Sequence, residues 1–64
     1  MTVTLKAARV NIGLTQEELA KEVGVSPVTI WKWEAGKAEP RFSQVKKICD
    51  ICKVNIDDIF MPEA

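Results

Sequence analysis

The segment at residues 15–36, TQEELAKEVGVSPVTIWKWEAG, contains the signals for two short helices joined by a tight turn. Thr15 and Glu18 have the spacing of a capping box, in which each side chain accepts a hydrogen bond from the other residue's backbone N–H. This box predicts that a helix begins directly after Thr15. Gly24 can adopt the left-handed conformation that ends a helix, so we expect this helix to end at Val23.

A second helix is predicted a few residues later. Ser26 can cap its N-terminus, and Pro27 suits a first helical turn because the N–H that proline lacks would have no partner there. The helix then continues to a breaker at Gly36, which predicts a helix over residues 27–35. Two helices joined by so short a turn form a helix-turn-helix, here over residues 16–35, and the second helix of this motif enters the DNA major groove. The pattern therefore predicts a DNA-binding protein.

Three further segments complete a prediction of five helices and no β-strand. The first is a helix over residues 4–11, the fourth helix is capped by Ser43, and the last is a short turn over residues 57–60. The apolar residues of the fourth helix recur at helical spacing, as expected for a helix with one buried face: Val45, Ile48, Cys49 and Cys52. The whole chain, residues 1–64, is predicted to form one all-α domain.

The net charge of the chain is zero, although proteins that bind nucleic acids usually carry an excess of basic residues. The charges are unevenly distributed along the sequence. Residues 1–47 contain eight basic and five acidic side chains, a net charge of +3, whereas residues 48–64 contain one basic and four acidic side chains, a net charge of −3. The half that includes the helix-turn-helix is therefore the half expected to face DNA, with an affinity that falls as salt rises.

The composition argues against several other classes of protein. The sequence has no apolar run long enough to span a membrane and no signal-peptide pattern at its start, so we expect a soluble, cytoplasmic protein. It contains no His and only two cysteines, which leaves few groups for general acid–base catalysis or for a tetrahedral zinc site. We therefore expect no enzyme activity, no cofactor, no bound metal and no small-molecule substrate.

Cys49 and Cys52 form a C-x-x-C pair, a spacing that also occurs in redox and metal sites. Both residues fall on the apolar face of the predicted fourth helix and not at a helix N-terminus, where a thiolate would be stabilised. Buried free cysteine packs like a small hydrophobic residue, so we expect both to have a structural role.

Three sequence elements together resemble the phage-repressor, Cro-like (XRE-type) helix-turn-helix family. They are LTQEELA at residues 14–20, WEAGK at residues 33–37 and the P-x-F-x-x-V pattern at residues 40–45. The resemblance covers about residues 5–60. It implies a compact, lambda-repressor-like domain of five helices and a sequence-specific transcriptional regulator, a repressor, whose partner is double-stranded DNA.

The resemblance also implies which residues contact DNA. In the family, the Gln that opens the second helix contacts a phosphate, and the residues at the start of the third helix and one turn later contact base edges. The loop after the third helix lies along the sugar-phosphate backbone. The expected DNA-binding residues of this chain are therefore Gln16, Ser26, Pro27, Val28, Thr29, Lys32, Lys37 and Arg41.

Two structural expectations also come from the family pattern. An Arg of the first helix pairs with a Glu near the end of the third, and Arg9 and Glu34 match these positions. The alternative is two unrelated surface charges, which are common and usually unpaired. Relatives commonly have Gly at the end of the fourth helix, where this chain has Lys53, so we expect Lys53 to adopt a positive φ at some energetic cost.

A single recognition helix contacts few base pairs, so a two-fold homodimer on a palindromic operator is expected, with half-sites about 34 Å apart. The apolar residues at the end of the chain exceed what so small a core needs, which suggests an interface. Phe60 and Met61 are the candidates for this dimer contact.

A protein-interaction module with the same fold and little DNA binding, such as an antitoxin-like or anti-repressor protein, is the alternative. The zero net charge and the apolar pair of Pro27 and Val28 favour it. Trp33 is predicted to face the core together with Ile30, three residues before it. Trp31 points elsewhere, and we expect it either to flank the DNA backbone or to contact a protein.

Overall fold

The computed structural model describes residues 2–60 of the 64-residue chain. Helices form most of this part. They are α1 (Leu5–Asn11), α2 (Gln16–Val23), α3 (Pro27–Glu34) and α4 (Phe42–Cys52). Two short strands, β1 (Val3–Thr4) and β2 (Ile59–Phe60), and a 3₁₀ turn at Ile56–Asp58 complete the described elements.

The capping box fixes the start of α2. The Thr15 hydroxyl accepts from the Glu18 N–H at 3.0 Å, and the Thr15 N–H donates to the Glu18 carboxylate at 2.9 Å. Hydrogen bonds that the Glu18 carboxylate accepts from Thr15, first from its backbone N–H and then from its side chain, lower the pKa of this carboxyl below its ordinary value. At the other end, Gly24 has a φ of 88° and ends the helix after Val23. Both ends of α2 therefore lie where the local sequence signals predict them.

Helix α3 also begins with a side-chain cap. The Ser26 hydroxyl accepts from the Thr29 N–H at 3.2 Å, and Pro27 occupies the first turn. The helix ends at Glu34, and Ala35 is its C-cap rather than its last residue. Helices α2 and α3 pack closely against each other, and Ala20 of α2 is small and buried.

The prediction of a fifth helix and of no strand was wrong for the described residues. The segment after α4 forms a single 3₁₀ turn and then β2, which pairs in parallel with β1 and places Ile59 opposite Val3. A two-residue strand is stabilised by a partner from the other end of the chain, and it is too short to show the alternation that identifies strands in sequences.

The start of α4 also differs from the prediction. Arg41, not Ser43, is the N-cap, and it makes no side-chain capping bond. Instead, the Gln44 side chain accepts from the Arg41 N–H at 2.8 Å. This bond satisfies the N–H of the N-cap residue, and the helix begins at Phe42, before the start that a Ser43 cap implies.

The core lies where the four helices meet. Its buried members come from all of them: Leu5, Ala8, Leu19, Ala20, Val23, Ile30, Trp33, Ile48 and Cys52. Trp33 is only 3% exposed, which confirms the prediction that it faces the core. Ile12 follows Leu5 and Ala8 at the spacing of one helix face, but it is exposed because it caps α1 as the chain turns away at Gly13.

The two cysteines are buried and unbridged. Burial raises the pKa of both thiols, with smaller contributions from Asp50 at Cys49 and from Cys49 at Cys52. A thiol with a raised pKa has little thiolate character at neutral pH. Burial and protonation therefore agree with the structural role expected for this pair.

Among residues 2–60, Arg9 is the charged residue that is buried, with 8% of its surface exposed. Its Nε donates to Glu34 Oε2 at 2.6 Å and its Nη2 to Glu34 Oε1 at 3.2 Å. Its Nη1 donates to the Leu14 carbonyl at 2.7 Å. Because the guanidinium bonds α3 through Glu34 and the loop before α2 through Leu14, it joins α1 to both parts of the helix-turn-helix.

Lys53 ends α4 in the left-handed conformation, with φ 58° and ψ 41°, which confirms the sequence prediction. Replacing Lys53 by Gly is expected to raise the free energy of unfolding by roughly 0.5–1 kcal/mol, because glycine has no Cβ to crowd the backbone there. Urea unfolding followed by circular dichroism measures the change. The matched control, Lys47→Gly inside α4, is expected to lower the stability by about 1 kcal/mol. An equal loss of stability in both variants would contradict the conformational explanation.

Glu34→Gln is expected to destabilise the fold by about 3–5 kcal/mol, because it leaves the buried Arg9 guanidinium without its counter-charge. Glu22→Gln, the same change at an exposed position of α2, is the control and is expected to stay within about 0.5 kcal/mol of the parent protein. Urea midpoints compare the two variants. Equal midpoints would show that the ion pair behaves like an exposed one.

Candidate nucleic-acid interface

Helix α3 presents three side chains on the surface opposite the core, which we call the α3 face: Val28, Trp31 and Lys32. Val28 is 59% exposed, Trp31 is 47% exposed and Lys32 is also exposed. Ile30 and Trp33 point the other way, into the core. At 100° per residue, Val28 lies at the middle of this face, with Trp31 on one side and Lys32 on the other.

The first turn of α3 is organised by its own cap. The hydroxyl groups of Ser26 and Thr29 lie 3.0 Å apart and share a hydrogen bond, in addition to the capping bond from the Thr29 N–H. Pro27 is exposed between them and has no N–H to donate. Of the four residues expected at this end, Val28 therefore offers an unencumbered side chain, whereas Ser26 and Thr29 already bond each other.

Gln16 lies at the N-terminus of α2 and is half-buried. Its Nε2 donates to Glu34 Oε1 at 3.0 Å, the oxygen that also accepts from Arg9. An amide nitrogen carries two N–H groups, and this bond uses one of them. The structure thus brings Gln16, Glu34 and Arg9 into one hydrogen-bonded cluster, although no sequence signal connects Gln16 with Glu34.

Two open depressions flank Gln16. The larger, of about 420 Å³, is lined by Arg9, Thr15, Gln16, Glu17 and Pro27. The smaller, of about 170 Å³, is lined by Lys6, Gln16, Trp31, Glu34 and Ala35. Lys6 was not among the DNA-binding residues expected from the sequence. The one feature of the sequence that could have indicated it is its position one turn before Arg9 on α1. The smaller depression brings this lysine of α1 to the same hollow as Trp31 of α3.

The remaining basic candidates lie in the segment between α3 and α4. The Lys37 N–H donates to the Lys32 carbonyl at 2.8 Å, so the chain turns back sharply at the end of α3, with Gly36 at a φ of 74°. Lys37 and Arg41 are both exposed, the first just after α3 and the second just before α4. Their ammonium and guanidinium groups are therefore accessible at the two ends of this segment.

The candidates for a dimer contact lie at the other end of the described chain. Phe60, in β2, is 52% exposed, while Ile59 beside it packs against the core. Met61 lies outside the described residues. Within residues 2–60, no helix is long and apolar enough to cross a bilayer, and no three His, Cys, Asp or Glu side chains are grouped as metal ligands.

Known proteins resemble this chain over most of its length. Residues 5–59 match the family described as Helix-turn-helix. The chain is 46% identical over 59 residues to an uncharacterized HTH-type transcriptional regulator of Methanocaldococcus jannaschii, and the match covers 92% of this chain and 89% of that protein. It is 33% identical over 51 residues to the cryptic phage CTXphi transcriptional repressor RstR of Vibrio cholerae, covering 80% of this chain and 46% of that protein.

A solved structure agrees with these relatives. The crystal structure of the clp gene regulator ClgR from Corynebacterium glutamicum is similar to this chain with a TM-score of 0.80 and 28% identity. The match covers 84% of this chain and 57% of that one, so the chain spans a little over half of the ClgR chain. With the match over residues 5–59, these similarities show that the chain belongs to the XRE-type helix-turn-helix family.

Proposed function

We propose that this chain is a cytoplasmic, sequence-specific DNA-binding transcriptional regulator that acts as a repressor. It places α3 in the major groove of a palindromic operator and binds as a two-fold dimer. The observation that carries the proposal is the exposed α3 face beside the amide of Gln16. Gln16 stands at the N-terminus of α2, and Glu34 of α3 holds its amide by a hydrogen bond. Similarity to the repressor RstR supports the repressor role.

The α3 face supplies the base contacts. Lys32 carries an ammonium group that can donate to guanine O6 or N7, and Val28 can contact the methyl group of a thymine. Thr29 contributes if its hydroxyl exchanges the Ser26 bond for a base, and Pro27 contributes shape alone. Recognition therefore combines one charged donor with an apolar surface.

Contacts with phosphates fix the register of the helix on DNA. Gln16 stands at a helix N-terminus, where backbone N–H groups and the helix dipole favour an anion, and its second amide N–H can donate to a phosphate oxygen. Lys37 and Arg41 add exposed cations after α3. Contacts of this kind position a protein on DNA and carry no sequence information themselves.

A dimer supplies the specificity that one α3 cannot. Each α3 contacts a few base pairs, and a two-fold pair of them doubles the number that is read. The exposed Phe60 at the end of the described chain supports an interface there, and Met61 would extend it. The paired helices then lie about one turn of DNA apart, roughly 34 Å.

A protein-interaction module is the second candidate, because the chain has zero net charge and large exposed apolar side chains. Phe42, at the start of α4, is 73% exposed, in addition to Val28 and Trp31. Titration with random-sequence duplex DNA at several salt concentrations discriminates between the two functions. For a DNA-binding protein, the logarithm of the affinity falls linearly with the logarithm of the salt concentration. An interaction module shows no binding to the duplex even at low salt.

Lys32→Ala is expected to weaken binding to a duplex selected from a random pool by about 1–3 kcal/mol, the contribution of one good base contact. Lys21→Ala, which removes the same charge from the far end of α2, is the control and should have a smaller effect. Fluorescence anisotropy with labelled duplexes measures both. If Lys32→Ala weakens binding to selected and random duplexes by the same factor, Lys32 contacts a phosphate and does not read a base.

Phe60→Ser tests the dimer. If Phe60 seals a two-fold interface, the variant should be monomeric by sedimentation and should bind a single half-site as well as the parent protein does. Its affinity for the full palindrome should fall by about 10²–10⁴, because linked binding events gain this factor through effective concentration. Circular dichroism must first show that the variant is folded. A parent protein that is monomeric both in solution and on the palindrome would refute the dimer.

A further inference from the structure

Trp31 is the large side chain of the α3 face to which the proposed function gives no role. Its indole is 47% exposed, whereas that of Trp33, two residues later, is 3% exposed and fills the core. Tryptophan is highly buried on average and is enriched at interfaces, because it offers a large apolar surface together with one N–H donor. An indole left half in solvent on the face proposed to meet DNA is therefore suited to a binding role.

The position of Trp31 is defined by its neighbours on two sides. On one side, Val28 lies one turn earlier at the middle of the α3 face. On the other side, Trp31 lines the open depression of about 170 Å³ that it shares with Lys6 of α1 and Gln16 of α2. Trp31 thus adjoins Val28 on α3 and also the depression that it shares with Gln16 and Lys6.

The charge of this depression favours an anion. Glu34 also lines it, but both oxygens of its carboxylate accept from the buried Arg9 guanidinium, which neutralises it. The Lys6 ammonium and the Gln16 amide are then the polar groups that remain to bind a ligand. A half-exposed indole beside two such donors fits a ligand with an apolar face next to a negative charge.

We propose that Trp31 and Lys6 form a binding site for the DNA backbone, an inference that rests on the proposed function. The indole packs against the C–H face of a deoxyribose, and the Lys6 ammonium bonds a phosphate next to that sugar. Trp31 adjoins both Val28 and the depression with Lys6, as a deoxyribose adjoins both its base and a phosphate. Because every nucleotide has the same sugar and phosphate, this site strengthens binding without selecting a sequence.

Acrylamide quenching of tryptophan fluorescence observes the contact directly. Trp33 is buried, so quenching of the parent protein reports mainly the exposed Trp31. Saturating the protein with a random-sequence duplex at low salt is expected to lower the Stern–Volmer constant. Trp31→Phe, in which the buried Trp33 gives the remaining signal, is the control and should show no such change.

Affinity measurements separate the two side chains. Trp31→Ala should weaken binding to selected and random duplexes alike by roughly tenfold, the factor expected for about 55 Å² of lost apolar contact. The salt slope should not change, and Trp31→Phe should restore most of the affinity. Lys6→Ala should reduce the slope of log affinity against log salt by about 0.9, the value for one phosphate contact. Lys21→Ala, at the far end of α2, should leave the slope unchanged.

Three results would overturn the inference. If the duplex binds but Trp31 stays as accessible to acrylamide as before, the indole does not contact DNA and is left for a protein partner. If Trp31→Ala costs affinity only where the site has a thymine, and uracil at that position removes the difference, Trp31 contacts a base methyl group and not the backbone. If no duplex binds at low salt, the proposed function itself fails. This failure can be told apart from the first two results, because both of them require that a duplex binds.

Discussion

The bond between Arg9 and Glu34 is the interaction on which the geometry of this domain depends. A buried guanidinium needs a counter-charge and partners for its N–H groups, and Glu34 together with the Leu14 carbonyl supplies both. Glu34 in turn holds the amide of Gln16. The start of α2, the end of α3 and the middle of α1 are therefore fixed relative to one another. The side chains proposed to meet DNA are positioned before DNA arrives, which reduces the entropy lost on binding.

The proposed interface differs from a surface dominated by charge. The chain has no net charge, and two of the three side chains on the α3 face, Val28 and Trp31, are apolar or aromatic. Affinity must then come from a few placed donors and from apolar contact with sugars and thymine methyl groups, with a weaker long-range attraction to DNA. Four of the nine acidic residues lie in residues 48–64, and residues 1–47 keep a net charge of +3, so this half of the sequence remains suited to face a polyanion.

Sequence signals predicted the elements whose ends are determined locally. The capping box of Thr15 and Glu18 and the left-handed Gly24 set both ends of α2, and Ser26 set the start of α3. The same reasoning failed at Ser43. The side chain of Gln44 accepts a hydrogen bond from the Arg41 N–H, and the helix begins at Phe42, before Ser43. It also failed at the end of the chain, where a fifth helix was expected and β2 formed.

Local patterns in the sequence were enough to predict the helix-turn-helix and the buried face that includes Trp33, because each depends on residues close together in the chain. The positive φ of Lys53 was expected from the resemblance to the family. The pairing of β2 with β1, and the hollow that Lys6 shares with Trp31, came instead from the tertiary structure. It also decided that the side chain of Gln16 is held by a residue of another helix. Contacts between distant segments depend on how the helices cross, and a crossing is set by packing of the whole core and leaves no local pattern in the sequence.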